Sequence, residues 1–122
     1  MGKTVWMFPG QGSQTPGMGQ TLITQDETRQ ALADLGTRIG LDLTTLMTTG
    51  TKDELKATDI AQPAIVAHSA LLAQQYAAQG HTPDFVLGHS VGEYSALVAA
   101  SVITPSEAVY LVRERGKLMN QV

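Results

Sequence analysis

The chain has 122 residues, 43% of them hydrophobic and 16% charged, with a net charge of −3. That length suits one small domain over residues 1–122 and excludes two, and the composition supports a packed core rather than a disordered chain. No Lys/Arg cluster could neutralise a run of phosphates, so nucleic acid is not an expected partner, and no apolar stretch approaches the ~18 residues of a membrane span. The absence of cysteine removes disulfides, thiolate metal sites and a cysteine nucleophile. It fits a reducing cytoplasm. The apolar run before Pro9 is too short for a signal peptide, and Trp6 stands where a myristoylation signal needs Ser or Thr.

In chain order, Thr4 to Phe8 is a run of β-branched and aromatic residues, expected as a strand buried on both faces of a parallel sheet. A glycine- and proline-rich loop from Pro9 to Gly17 stops it. Asp26 to Leu35 reads as a helix with Ala31, Leu32 and Leu35 on one face, ended by Gly36 or Gly40. Thr51 and Glu54 have the spacing of a capping box that opens a short helix. Pro63 stands near the start of a longer helix reaching about Gln79, with Ile65, His68, Leu72 and Tyr76 in one stripe and Gly80 as its stop.

Phe85 to Leu87 is the second strand. Val91 to Ser101 is apolar nearly all round and is expected as a buried helix. Thr104, Pro105 and Glu107 form a second capping box with proline at the first helical position. The helix they open carries Ala108, Leu111, Val112, Arg115 and Leu118-Met119 at helical spacing. Strands separated by helices give an α/β fold with a mainly parallel sheet. Two strands make a poor sheet, so either the irregular segments hide more or this is the front part of a larger domain; the second is the expectation.

Between the second strand and the alanine-rich helix lies Gly88-His89-Ser90-Val91-Gly92. A G-x-S-x-G pentapeptide in a strand–turn–helix setting is the pattern of a nucleophile elbow. The sharp turn pushes the Ser90 hydroxyl out of the sheet and aims the next backbone N–H, that of Val91, at an oxyanion. A glycine-rich turn with an ordinary N-cap serine produces the same pentapeptide, so the motif alone leaves both readings open.

Four motifs occur in order: Phe8-Pro9-Gly10-Gln11-Gly12-Ser13-Gln14, Gln62-Pro63, Gly88-His89-Ser90-Val91-Gly92-Glu93-Tyr94-Ser95-Ala96, and Arg113-Glu114-Arg115-Gly116-Lys117-Leu118-Met119. Together they resemble the malonyl-CoA:acyl-carrier-protein transacylase family over essentially the whole chain. The resemblance implies the front part of an α/β-hydrolase-like acyltransferase domain, with the family's ferredoxin-like subdomain absent. It implies that Ser90 takes a malonyl group from malonyl-CoA as a seryl ester and yields it to the phosphopantetheine thiol of an acyl carrier protein, for fatty-acid synthesis. It also assigns the oxyanion hole to the backbone N–H groups of Gln11 and Val91, the malonyl carboxylate to Arg115, and a place in the pocket to Gln62. Coenzyme A enters as part of the substrate, and neither a cofactor nor a metal is implied.

Each assignment has a plainer rival. Gln11 could belong to a mobile glycine loop, which is no phosphate cradle because no Gly-Lys-Ser/Thr follows. Arg115 could be a solvated helix arginine, but it shares a face with Leu111 and Met119, which is expected to turn it inward more than Arg113. His68 is expected in the core or at a helix edge, His81 at the surface, and His89 too divergent from its neighbour to serve Ser90. A serine nucleophile needs a general base, which the family supplies from a later histidine. A truncated form lacking that base is the expectation. The alternatives are half of a split enzyme completed by a companion chain, a non-catalytic module that binds acyl groups or carrier protein, and a transacylase of polyketide synthesis or of malonate decarboxylase. A serine esterase sharing only the elbow is disfavoured by Arg115, since an ester pocket has no use for a buried cation.

Overall fold

A computed structural model describes residues 2–122. It is a mixed α/β arrangement: β1 (Val5–Phe8), a short 3-10 turn (Leu22–Thr24), α1 (Asp26–Ile39), α2 (Leu43–Thr48), α3 (Lys52–Lys56), α4 (Thr58–Ala78), β2 (Phe85–Gly88), α5 (Gly92–Ala99) and α6 (Pro105–Asn120). The two strands pair in parallel, Val5 beside Phe85 through Phe8 beside Gly88. No helix among the described residues is long and apolar enough to cross a membrane.

α4 is the centre of the core. Its first half, Ala61 to Ala67, is buried on every side, and Ile65, Val66 and Leu71 pack with Leu32 and Leu35 of α1, Met47 of α2, Leu55 of α3 and Val109 and Val112 of α6. The expected stripe of Ile65, His68, Leu72 and Tyr76 is not the buried face. It leaves the core along its length, and Tyr76 is 48% exposed.

The strands depart from expectation in a similar way. Trp6, Phe8 and Val86 pack against Ala73 of α4 and Ala96 and Ala99 of α5. The opposite face is open: Val5, Met7, Phe85 and Leu87 are 44%, 75%, 57% and 50% exposed. The run from Thr4 to Phe8, which reads as buried on both faces, is therefore covered on one, because no described helix lies on the other.

Four helix boundaries follow from local chemistry. Gly40, at φ +70°, ends α1, while Gly36 is buried inside it. Both capping boxes form as expected, Thr51 with Glu54 and Thr104 with Glu107. α2 was not expected; Asp42 caps it by accepting from the Thr45 N–H at 3.1 Å, and Leu43 and Met47 bury its inner face. α5 is shorter than expected, and Leu97 is 39% exposed, so this helix is not buried all round.

Candidate active site

β2 stops at Gly88 and α5 starts at Gly92, leaving three residues for the turn. Ser90 has φ +54°, a left-handed conformation that costs a residue with a side chain and that persists only where surrounding structure enforces it. The enforcement is steric. A Cβ on Gly88 would strike the backbone of Gly92, and one on Gly92 would strike the carbonyl oxygens of Phe8 and Pro9. The turn is also tied to the end of β1, where His89 N–H donates to the Phe8 carbonyl at 3.1 Å. Val91 is buried beneath the turn and Ser90 is exposed above it.

The loop after β1 is pressed against the same turn. A Cβ on Gly10 would lie 2.6 Å from the His89 carbonyl oxygen. Gln11 follows, with its side-chain amide donating to the Thr58 hydroxyl at 3.1 Å. Among the described residues, the backbone N–H of neither Gln11 nor Val91 has a protein acceptor. The two candidate oxyanion donors thus stand on two loops held together by residues without side chains.

Arg115 reaches this turn from α6. Its Nη2 donates to the Ser90 hydroxyl oxygen at 3.3 Å, and its Nη1 to Gln62 Oε1 at 2.8 Å. Gln62 is fully buried, and its amide nitrogen in turn donates to the Met119 sulfur at 3.1 Å. Among the described residues no carboxylate pairs with Arg115, and the centroid of the Tyr94 ring lies 5.9 Å from its guanidinium carbon. Ser90 accepts from Arg115, so its own O–H is left for a base. Arg115 is therefore a cation without a counter-ion beside a strained, exposed serine, a setting that suits a small anionic group.

The reason given for Arg115 turning inward does not hold. Leu111 and Met119 are 43% and 45% exposed, so the face they share with Arg115 is not the core face. Arg113 is the inward arginine: its side chain is 15% exposed and bonds Asp59 Oδ2 at 2.7 Å. Arg115 lies instead along the rim, drawn there by Gln62. Asp59 and Asn120, which flank this seam, carried no motif signal; a proline well inside a helix, at Pro63, was the hint available. Burial pushes the half-buried His68 imidazole below its ordinary range. His81 is exposed against the Tyr76 ring, and His89 is exposed beside Gly10. Among the described residues no histidine is hydrogen-bonded to Ser90, and no group of His, Asp and Glu is gathered to hold a metal.

Comparison with known proteins agrees with this geometry. The acyl transferase domain family matches residues 5–122. The malonyl CoA-acyl carrier protein transacylase of Bacillus subtilis (strain 168) is 43% identical over 99% of the chain and 38% of its own length. A malonyl-transacylase solved in complex with its type II PKS acyl-carrier protein superposes with a TM-score of 0.91 at 40% identity, over 98% of this chain and 40% of that one. An acyl carrier protein S-malonyltransferase from Vibrio cholerae O1 biovar eltor gives a TM-score of 0.90 at 38% identity, over 98% and 40%. The chain spans about two fifths of the length of the relatives it matches. With the elbow, the Gln11 loop and the Arg115 seam all inside the matched stretch, the chain belongs to the acyl transferase domain family, among relatives that are malonyl CoA-acyl carrier protein transacylases.

Proposed function

We propose that these residues form the nucleophile and acyl-recognition half of a malonyl transferase site. Ser90 Oγ attacks the thioester carbonyl carbon of malonyl-CoA, the carbon–sulfur bond breaks, and coenzyme A leaves as the thiol. The seryl ester is then attacked by the phosphopantetheine thiol of an acyl carrier protein, which restores the serine hydroxyl. The N–H groups of Gln11 and Val91 receive the oxyanion of each tetrahedral intermediate. Arg115 holds the distal carboxylate by its fork, with Gln62 fixing the plane of the guanidinium. The observation that carries the reading is the uncompensated Arg115 guanidinium 3.3 Å from the hydroxyl of a serine at φ +54°.

Activation of Ser90 falls to a histidine outside these 122 residues, in the part of the relatives this chain does not span. The fold is read accordingly as part of an α/β-hydrolase-like acyltransferase domain, working in the cytoplasm in fatty-acid synthesis. The test is intact-mass analysis after incubation with malonyl-CoA, with and without a separately supplied C-terminal segment from a full-length relative. One malonyl group on Ser90, present in the completed protein and absent from Ser90→Ala, supports the reading. No labelling of the completed protein overturns it and favours a module that binds acyl groups or carrier protein without chemistry.

A further inference from the structure

Pro63 is the sixth residue of α4. A proline inside a helix has no N–H to give to the carbonyl four residues earlier, here that of Asp59. That orphaned carbonyl is filled from another helix: Arg113 Nη1 donates to Asp59 O at 2.8 Å and, from the same nitrogen, to Asp59 Oδ2 at 2.7 Å. The other carboxylate oxygen, Oδ1, accepts from Asn120 Nδ2 at 2.9 Å. One residue of α4 is thus bonded through three oxygens to two positions of α6 that lie about two helical turns apart.

Between those positions α6 runs against α4 at closest approach. A Cβ on Gly116 would lie 2.6 Å from the Asp59 Cα and 2.9 Å from the Thr58 carbonyl oxygen. Gln62 stands one turn further along α4 and takes Arg115 and Met119 from α6. A slip of α6 by one residue would carry Arg115 about 1.5 Å along the axis and 100° around it, away from Ser90. The Asp59 bonds to Arg113 and Asn120 oppose such a slip directly. Arg113 gives Nη1 to Asp59, while its buried Nε is left without a partner.

We propose that Asp59, with its carbonyl freed by Pro63 and taken by Arg113, is the positioning residue that sets acyl-group selectivity at Ser90, by holding α6 in the register that presents Arg115. This rests on the transferase reading above, and the experiment separates the two. Asp59→Asn keeps the shape and weakens the charged bonds; Pro63→Ala restores a helix N–H that competes with Arg113 for the Asp59 carbonyl. Side-chain order of Arg115 is measured by nitrogen-15 relaxation of its guanidinium, with the exposed Arg38 as internal reference. Malonyl and acetyl loading of Ser90 are measured in the same variants of the completed protein.

The expected result is a loss of Arg115 order in both variants. Asp59→Asn should cut the malonyl-to-acetyl ratio about tenfold, the scale of one hydrogen bond to a charged group, through KM for the malonyl donor rather than kcat. Pro63→Ala should be at least as thermally stable as the parent, because proline is the poorest residue in a helix interior, and yet be less selective. A merely structural role predicts the opposite link, with selectivity following stability. Unchanged Arg115 order in both variants overturns the proposal whether or not any acyl group is loaded. An equal fall in malonyl and acetyl loading overturns it too. Absent loading in the parent would instead defeat the transferase reading and leave the relaxation result to decide this one. Should Asp59→Asn fail to fold, Pro63→Ala decides alone.

Discussion

Where α4 meets α6, polar side chains are taken out of solvent and bonded across the seam, with the buried Arg113 Nε left without a partner; where β1 meets β2, apolar side chains stand in solvent. At the seam, Gln62 is fully buried and Arg113 and Asp59 are largely so, and their groups are bonded to one another. On the sheet, Met7 and Phe85 are among the most exposed large apolar residues of the chain, and an apolar cleft of about 560 Å³ runs along β1 between Phe8, Leu72 and Tyr76. The contrast separates what these residues complete among themselves from what they leave uncovered. A guanidinium without a carboxylate partner, bonded beside an exposed serine, is assembled within the described residues. Among these residues the outer sheet face is left open and no histidine is hydrogen-bonded to Ser90.

The comparison can be broken at several points, in falling order of effect. Ser90→Ala should reduce acyl loading of the completed protein on the order of 10⁴-fold or more, read by intact mass, and residual loading at the parent rate would place the nucleophile elsewhere. Arg115→Ala should lower malonyl loading about 100-fold while acetyl loading holds or rises, measured as paired initial rates. An unchanged ratio would make Arg115 a solvated helix residue. Gly92→Ala should destabilise the fold by about 2 kcal/mol in denaturant titration, because the added Cβ meets the Phe8 and Pro9 carbonyls. A neutral result would mean that the turn and β1 are not pressed together.

Titration gives a smaller effect with a definite sign. Burial holds the His68 imidazole below its ordinary value, so the unfolded chain takes up that proton first. The stability it contributes is complete above about pH 6.5 and is lost as the pH falls through the lowered value. Glu54 and Glu107, held below the usual carboxylate range by the backbone N–H and then the hydroxyl of their cap threonines, lose their contribution in the same direction at lower pH. The thermal midpoint should therefore fall as pH is lowered from 7 to 3, beginning between 7 and 5. A flat midpoint over that first interval would mean that His68 is solvated. Smallest of all, Met7→Thr with Phe85→Thr should change stability by less than about 0.5 kcal/mol while reducing self-association in sedimentation. A large loss of stability would show that the sheet face is covered after all.

What could be read in advance follows the same division. The capping boxes at Thr51 and Thr104 and the stop at Gly40 or Gly36 were legible because caps depend on neighbours in sequence. The elbow was legible because its glycines are demanded by backbone contact across a turn of three residues. α2 was hidden by its threonines, which favour neither helix nor strand clearly, and only the Asp42 cap marks it. Burial of β1 was overestimated because an apolar run says what a strand could bury and not whether a neighbour is there to bury it. At the seam, helical spacing put Arg115 on the apolar face and Arg113 off it; the closest approach is set instead by Gly116 against Asp59, which reverses the two. Asp59 has no periodicity or motif of its own. Its role depends on a carbonyl that Pro63 leaves free, a relation visible only once α4 is known to begin five residues earlier.

The central claim is that Arg115 and Ser90 grip opposite ends of one acyl group. Its most direct test is a crystal structure of the completed protein with malonate esterified to Ser90. The account predicts the distal carboxylate forked on the Arg115 guanidinium at about 2.7–2.9 Å, with Arg113 still on Asp59. A carboxylate turned to solvent, or bound by any other cation while Arg115 keeps its contact with Gln62, would contradict it.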